Sequence, residues 1–439
     1  MTRLTMAAVT LAWGIALAGC GGAGGGSGGG GSSSPQVATV ARLGLIGASI
    51  PANMTLVEAP DGDLYGTTSK GGGGGAGMVF KVSSQGTLSV VYQFCPALDC
   101  PDGGSPADGL VLAGDGNFYG TTTGGGANNA GTVFKMTPAG VLTTLYSFCA
   151  QKACPDGAFP GPLIQASDGN FYGAASTGGI SDNPVCPEPF GCGTVFKITP
   201  TGVFSTLHQF CAEQLCLDGA QPGIASNPST GIGLIQASDG NLYGTTQYGG
   251  GADAGEIFRV TLDGTLSTFY SFPACSSPCT LGAHPTSVTQ GEDGNFYGVA
   301  QAGANQAEGS IFRITVTGVF TVLYNFSCAQ ENCPDGAEPN GLTQATDGNF
   351  YGTTASGGIA NCPPIGPNSP PSPCGTIFRS TPGGTFTSIY QFPSMQVGWS
   401  PTGSLLQASS GILYGVTVAG GSDGGDGIVF SVSAGLPPP

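Results

Sequence analysis

The sequence predicts an all-β fold: a seven-bladed β-propeller with four antiparallel strands per blade. Three observations carry that prediction. Asp-Gly-Asn-Phe/Leu-Tyr-Gly starts at Asp115, Asp168, Asp239, Asp293 and Asp347, with Asp61-Gly-Asp-Leu-Tyr-Gly before them and a worn Ser410-Gly-Ile-Leu-Tyr-Gly after. The spacings are 54, 53, 71, 54, 54 and 63 residues, which marks seven structural units. Each unit holds four short runs rich in Val, Ile, Thr, Tyr and Phe, bounded by Gly, Pro, Asn and Asp, and this is the pattern of strands joined by turns.

Composition bounds the reading. Of 439 residues, 80 are Gly and 33 Pro, which leaves no stretch long enough for extended helices. The chain is 40% hydrophobic, so it can build a core, and disorder is the poorer reading. Ten Lys plus Arg against 26 acids give a formal charge of −16 and argue against nucleic acid as a partner.

In chain order, residues 1–19 read as an export signal: Arg3, an apolar run from Met6 to Ala18, then Leu17-Ala18-Gly19-Cys20. The run is too short for a good membrane span. Its ending resembles a bacterial lipobox, which implies cleavage before Cys20 and lipid on its sulfur. Residues 20–36 are then a tether, because Gly21–Ser34 contains only Gly, Ala and Ser. Such a coil reaches roughly 20 Å. With no Asp after Cys20, sorting to the outer membrane or cell surface is expected.

Within each unit of residues 37–433, an apolar tetrad (Leu163-Ile-Gln-Ala166) forms the first strand and Phe-Tyr-Gly the second. Gly-Thr-Val-Phe-Lys-Ile-Thr (193–199) forms the third, and Val-Phe-Ser-Thr-Leu-His-Gln-Phe (203–210) the fourth. Asp-Gly-Asn and Thr-Pro-x-Gly supply the tight turns after the first and third strands. The last unit stops after its third strand, at 427–433, while an orphan strand, 37–43, precedes the first unit. Residues 37–43 are therefore expected to pair with 427–433 and close a ring, which a linear solenoid would not do. Residues 434–439 are a Pro-rich tail.

The frame Asp-Gly-Asn-Phe-Tyr-Gly-Thr-Thr, Gly-Gly, Gly-Thr-Val-Phe-Lys, Leu-Tyr-x-Phe resembles the GloVer tandem repeat of exported bacterial proteins with varied surface anchors. The resemblance covers roughly residues 37–433 and implies a propeller-like surface protein. It brings no catalytic motif that could be transferred.

Repeat columns absorb most of the unusual residues. Lys81, Lys135, Lys197, Arg259, Arg313 and Arg379 share one third-strand position, and the Asp61, Asp115, Asp168, Asp239, Asp293 and Asp347 column is their expected ion-pair partner. Setting Cys20 aside, fourteen Cys fall into local pairs: Cys95/Cys100, Cys149/Cys154, Cys186/Cys192, Cys211/Cys216, Cys275/Cys279, Cys328/Cys333 and Cys362/Cys374. In an exported chain these read as disulfides. Zinc would require two more ligands for each pair, and the chain has two His, so no metal or cofactor is expected.

Five pairs lie between a fourth strand and the next first strand, and two lie between second and third strands. In an antiparallel blade both connections emerge at one end. All cystines, the long connections 178–192 and 357–374 and the Leu217–Gly233 insert should therefore share one face, and loops are where binding concentrates. Asp102, Asp156, Asp218 and Asp335, in Cys-x-Asp-Gly, together with His284, are the candidate ligand residues on it. The acids also read as Asp-Gly turns, and His208 as a packing substitute for the fourth-strand Tyr.

Gly-x-Ser-x-Gly occurs at 25–29 and 420–424 without the strand-turn-helix setting of a nucleophile elbow. The expectation is a monomeric, lipid-anchored, non-enzymatic binding module for a protein partner or an extracellular glycan. The alternative is a secreted hydrolase or lyase on a propeller scaffold, acting on polysaccharide or lactone, which rests on fold analogy; a structural spacer is a third reading.

Overall fold

In the computed structural model, the described residues are 35–48, 54–96, 99–179, 182–183, 186–187, 191–213, 216–222, 233–274, 282–302, 308–328, 333–358, 361–362, 372–393, 397–421 and 426–439. Cys20, the Gly-rich tether, the serine motif at 25–29 and most of the Leu217–Gly233 insert lie outside them. Seven four-stranded antiparallel sheets follow one another along the chain. Their second strands, which number the blades 1 to 7, are Leu64–Thr68, Phe118–Gly124, Phe171–Thr177, Leu242–Thr246, Phe296–Ala302, Phe350–Ser356 and Leu413–Ala419. The helical element given in full by the described residues is one 3₁₀ turn, Leu43–Ile46.

The ring closes as the spacing predicts. Gln36–Arg42 is the fourth strand of blade 7, antiparallel to Ile428–Ser433, in register from Gln36↔Ser433 to Arg42↔Ile428. One bulge, between Thr39 and Ala41, interrupts the ladder.

First strands depart from expectation. In blade 6 the first strand spans Ala337–Gln344, and in blade 2 it is split into Gly104–Pro106 and Val111–Leu112. The Ala-x-Pro segments, taken from sequence as loop, are thus the outer half of this strand. His284 sits there, within Ala283–Gln290. Ser105, Phe159, Gln221, His284, Glu338 and Ser400 share this position, all with φ between 50° and 58°. Their N–H groups each donate to a carbonyl of the preceding blade, for example Phe159 to Ala130 (3.0 Å) and His284 to Ala254 (2.9 Å). The left-handed backbone turns the donor towards its neighbour, and the side chain is then free to vary.

Two contacts make glycine necessary. An added Cβ at Gly120, in the Tyr-Gly pair, would lie 2.6 Å from Cζ of Phe134, whose ring fills the blade and is fully buried. At Gly131 (φ +99°) it would lie 2.7 Å from Cδ of Pro160 in blade 3. Aromatic rings join the blades: Tyr119 stacks on Phe171 with centroids 4.0 Å apart, and Tyr297 meets Phe350 at 4.1 Å.

A side-chain latch joins the blades at the end carrying the tight turns. Gln236, Gln290 and Gln344 each accept, at Oε1, an N–H from the preceding blade's turn (Ser167, Ser238 and Glu292), each at 2.7 Å. Between blades 7 and 1 the same place is taken by Glu58, which accepts the N–H and the hydroxyl of Ser409 at 2.7 and 2.8 Å. Between blades 1 and 2 the position holds Leu112.

Candidate functional site

The strand order gives the propeller two ends. The turns after first and third strands form one end, the turn face. The connections after second and fourth strands form the other, the loop face. Gln36 pairs with Ser433 at the turn-face end, so the chain enters there. Pro437 lies there too, its carbonyl accepting from the Thr346 hydroxyl at 2.8 Å.

On the turn face the Asp-Gly-Asn motif works as a unit. Asp115 Oδ1 accepts the Asn117 N–H (3.0 Å), and its Oδ2 accepts the Tyr119 hydroxyl (2.9 Å) and the Lys135 ammonium (2.8 Å). Asp168 repeats this with Asn170, Tyr172 and Lys197. Burial alone would raise both carboxyls; the Lys, Asn and Tyr hydrogen bonds outweigh it and hold them below the usual carboxylate range.

The expected ion-pair column needs correction in the other blades. Lys81 pairs with Asp63 (2.8 Å), not Asp61, because unit 1 carries a second acid where the others carry Asn. No Arg of this column lies within ion-pair distance of Asp239, Asp293 or Asp347. Arg259 Nε instead donates to Ser267 Oγ (3.2 Å), and the Nε atoms of Arg313 and Arg379 are buried without a hydrogen bond. In these blades the Asp oxygens accept from Asn and Tyr, as Asp168 also does beside Lys197, so the difference lies with Arg in place of Lys.

On the loop face the Cys-x-Asp-Gly acids are tied to their own blades. Asp102, Asp156 and Asp335 accept fourth-strand hydroxyls from Tyr92, Tyr146 and Tyr324 (2.8, 2.8 and 2.5 Å). Asp218 binds His208 Nε2 at 2.9 Å, so the imidazole replaces the phenol as the partner of the carboxylate. His284 is half-buried, with Nδ1 2.8 Å from the Gln247 carbonyl and its ring edge-on to Tyr248. Disulfides join Cys95–Cys100, Cys149–Cys154, Cys186–Cys192, Cys211–Cys216 and Cys328–Cys333. Cys374 is also disulfide-bonded. Cys275, Cys279 and the Cys362 side chain lie outside the described residues.

One feature had no counterpart in the sequence reading. A cavity of about 330 Å³ lies on the ring axis, lined by first-strand residues of all seven blades. Its charged lining residue is Asp108, 8% exposed, in a segment one residue longer than its equivalent in blade 3, 5 or 6. Asp108 Oδ1 accepts the N–H groups of Gly109 (2.7 Å) and Thr55 (3.2 Å), and Oδ2 accepts none among the described residues. Burial pushes its carboxyl up to about 7. Blades 5 and 6, across the ring, contribute Ser287, whose buried Oγ has no partner, and Asn340. Asn340 Nδ2 donates to Thr353 Oγ1 (3.0 Å) and Pro401 O (2.7 Å). The sequence signal for this site was a lone acid in an apolar, Gly-rich segment.

Fold and site define a seven-bladed β-propeller with a polar axial cavity and one elaborated face. Similar solved structures include virginiamycin B lyase from Staphylococcus aureus (TM-score 0.53, 14% identity, 91% of this chain and 98% of that one). They also include the extracellular domain of a hybrid two component system from B. thetaiotaomicron (TM-score 0.53, 12% identity, 92% of this chain and 42% of that one). At these identities the likeness concerns the fold. No curated protein matches the chain in sequence. The Gloeobacter/Verrucomicrobia repeat model matches residues 34–227 and 224–363, more than half of the chain, and the chain belongs to that repeat family.

Proposed function

We propose that this protein is an exported, non-enzymatic binding module, anchored through lipid on Cys20, whose loop face takes a partner. The observation that carries the reading is the opposed placement of chain entry and elaboration. The strand that follows the tether begins on the turn face. A lipid upstream of it would attach the chain from the turn-face side and leave the loop face accessible. Four exposed valines of the turn face, Val141, Val203, Val316 and Val319 (64%, 63%, 63% and 59%), are compatible with that side lying nearer the membrane.

Charge narrows the partner. The third-strand cations all lie at the turn-face end. By their place in the sequence, the loop-face connections hold half of the 26 acids, with Lys70, Lys152 and Arg42 as the bases at that end. Such a surface attracts a basic protein patch, neither attracts nor repels a neutral glycan, and repels an acidic polysaccharide.

Binding of the mature protein to a glycan array and to a basic protein such as lysozyme, in low and high salt, tests this. Binding lost in Asp99→Lys/Glu338→Lys and kept in Val141→Lys supports the loop face. Retention of all binding in the first variant overturns it. Lipidation is checked by detergent-phase partition of the full chain against Cys20→Ser; equal partition removes the anchor.

A second reading is favoured by Asp108. A buried carboxyl that titrates near neutrality, on the axis of a propeller, suits general acid–base work, and makes a hydrolase or lyase the alternative. Turnover of a polysaccharide or lactone, lost in Asp108→Asn, would establish it and displace the non-enzymatic reading.

A further inference from the structure

The sequence argument set zinc aside because each cysteine pair wants two more ligands. Blade 3 supplies them. Cys186/Cys192 lies in the connection between its second and third strands, and Cys211/Cys216 in the connection leaving its fourth strand. Folding brings both pairs together. The Sγ atoms of Cys186, Cys192 and Cys211 lie within 4.8 Å of one another, and Cys186 Sγ is 4.0 Å from Cys211 Sγ, across the two disulfides. Cys216 is bonded to Cys211. All four are 0–5% exposed, in one apolar cluster with Val195, Phe210 and Ala220.

The first two blades differ. Cys95–Cys100 and Cys149–Cys154 occupy the same type of connection, but their blades carry no Cys between second and third strands. Tetrahedral zinc bound by four thiolates, with Zn–S of about 2.3 Å, sets its sulfurs roughly 3.8 Å apart. The 4.0 Å between Cys186 Sγ and Cys211 Sγ is close to that edge. Cys186, Cys192 and Cys211 form the close set, and Cys216, freed from Cys211 on reduction, would move inward to complete it.

We propose that these four cysteines form a redox-dependent sulfur centre: two cystines when oxidised and, when both are reduced, a tetrathiolate site for Zn²⁺ or another thiophilic divalent cation. Each cystine takes two electrons and two protons from a dithiol, which is itself oxidised to a disulfide. The metal then binds four thiolates while four protons leave to solvent, and its oxidation state does not change. Soft sulfur ligands and a buried, water-poor setting favour Zn²⁺ over Ca²⁺ or Mg²⁺. A chain that is exported passes from a reducing to an oxidising compartment, and the centre would hold the blade 3 loops together on both sides of that step. The proposal does not depend on what the loop face binds.

The test uses the full chain, anaerobic, with a phosphine reductant and Co²⁺ as the spectroscopic probe. Reduced wild type is expected to take one equivalent of Co²⁺, with the intense visible bands of a tetrahedral tetrathiolate, and to lose them when Zn²⁺ is added. Oxidised protein and reduced Cys211→Ser/Cys216→Ser should give none, while Cys95→Ser/Cys100→Ser should match wild type. Reduced wild type that keeps its far-UV strand signal but shows no bands overturns the proposal. So do full bands in Cys211→Ser/Cys216→Ser. If reduction alone unfolds the chain, it is repeated with Zn²⁺ present from the start: a strand signal preserved by Zn²⁺ in wild type and not in Cys211→Ser/Cys216→Ser supports the centre, and unfolding despite Zn²⁺ refutes it.

Discussion

On the turn face the same few atoms recur blade after blade: an Asp bonded to its own Asn and Tyr, and an amide reaching back to the preceding blade. On the loop face the blades diverge, although blades 1 and 2 carry matching cystines and Tyr–Asp bonds. Blade 2 ends in one cystine, blade 3 gathers two, and blade 5 places a histidine where others have Phe, Gln, Glu or Ser. One end therefore answers to the ring, which demands seven equivalent joints. At the other, the recurrent joint is made by a first-strand N–H, and the side chain at that position is free to vary.

The comparison can be broken most severely at the closure. Deleting residues 35–42 removes the fourth strand of blade 7 and exposes the edge of Ile428–Ser433. Loss of a single cooperative melting transition is expected; a transition within a few degrees of wild type would mean that the ring does not depend on this strand. Gly120→Val comes next, because its added carbons enter space held by the Phe134 ring. A loss of about 1–3 kcal/mol in denaturant unfolding is expected, and an unchanged midpoint would remove the close approach as the reason for glycine there.

Cystine removal on the loop face should be milder and local. Cys95→Ser/Cys100→Ser should cost about 2 kcal/mol on the chain-entropy model, with hydrogen exchange rising in that loop and not at the Gln latches. Exchange rising around the whole ring would contradict the division into two ends.

Titration separates the regions by pH. Burial raises Asp108 from 3.8 to about 7, and Glu256, at the loop-face end of blade 4, from 4.5 to about 7. Between pH 4 and 7 the folded chain keeps protons that the unfolded chain has released, so stability falls as pH rises through this window. The turn-face acids Asp115 and Asp168 are shifted the other way, and their contribution disappears as pH drops below the usual carboxylate range. Melting temperature should thus peak near about pH 4, where the gain from the turn-face acids ends and the loss from Asp108 and Glu256 begins. Asp108→Asn should shrink the decline from pH 5 to 8, and an undiminished decline would exclude Asp108 as its source. The smallest effect belongs to Lys135→Ala, an exposed pair expected to change stability by less than about 1 kcal/mol in a thermal melt; a larger loss would show that the Asp115–Tyr119–Lys135 unit is more than a surface pair.

Much of this was legible from the repeat. The missing last strand and the orphan first one named their own pairing, because strand spacing is periodic. The faces followed from antiparallel alternation alone. His284 keeps its expected place at the loop-face end but lies in a strand and not a loop, because the first strand continues through Ala-x-Pro. Lys81 took Asp63 because a column shows which positions face each other without showing which of two neighbouring acids reaches. Asp108 was passed over because it belongs to no column, and the blade 3 cysteines because convergence of two connections is a property of space and not of spacing.

The closing strand also settles how the molecule bears tension. A pull on residue 36 away from the turn face runs along the axis of Gln36–Arg42, so the ladder to Ile428–Ser433 is loaded in shear, with its hydrogen bonds sharing the force. A pull at right angles to the strand would instead peel them one by one. A chain held at its N-terminus and tugged from its far face is thus gripped by the strongest geometry a β-ladder offers.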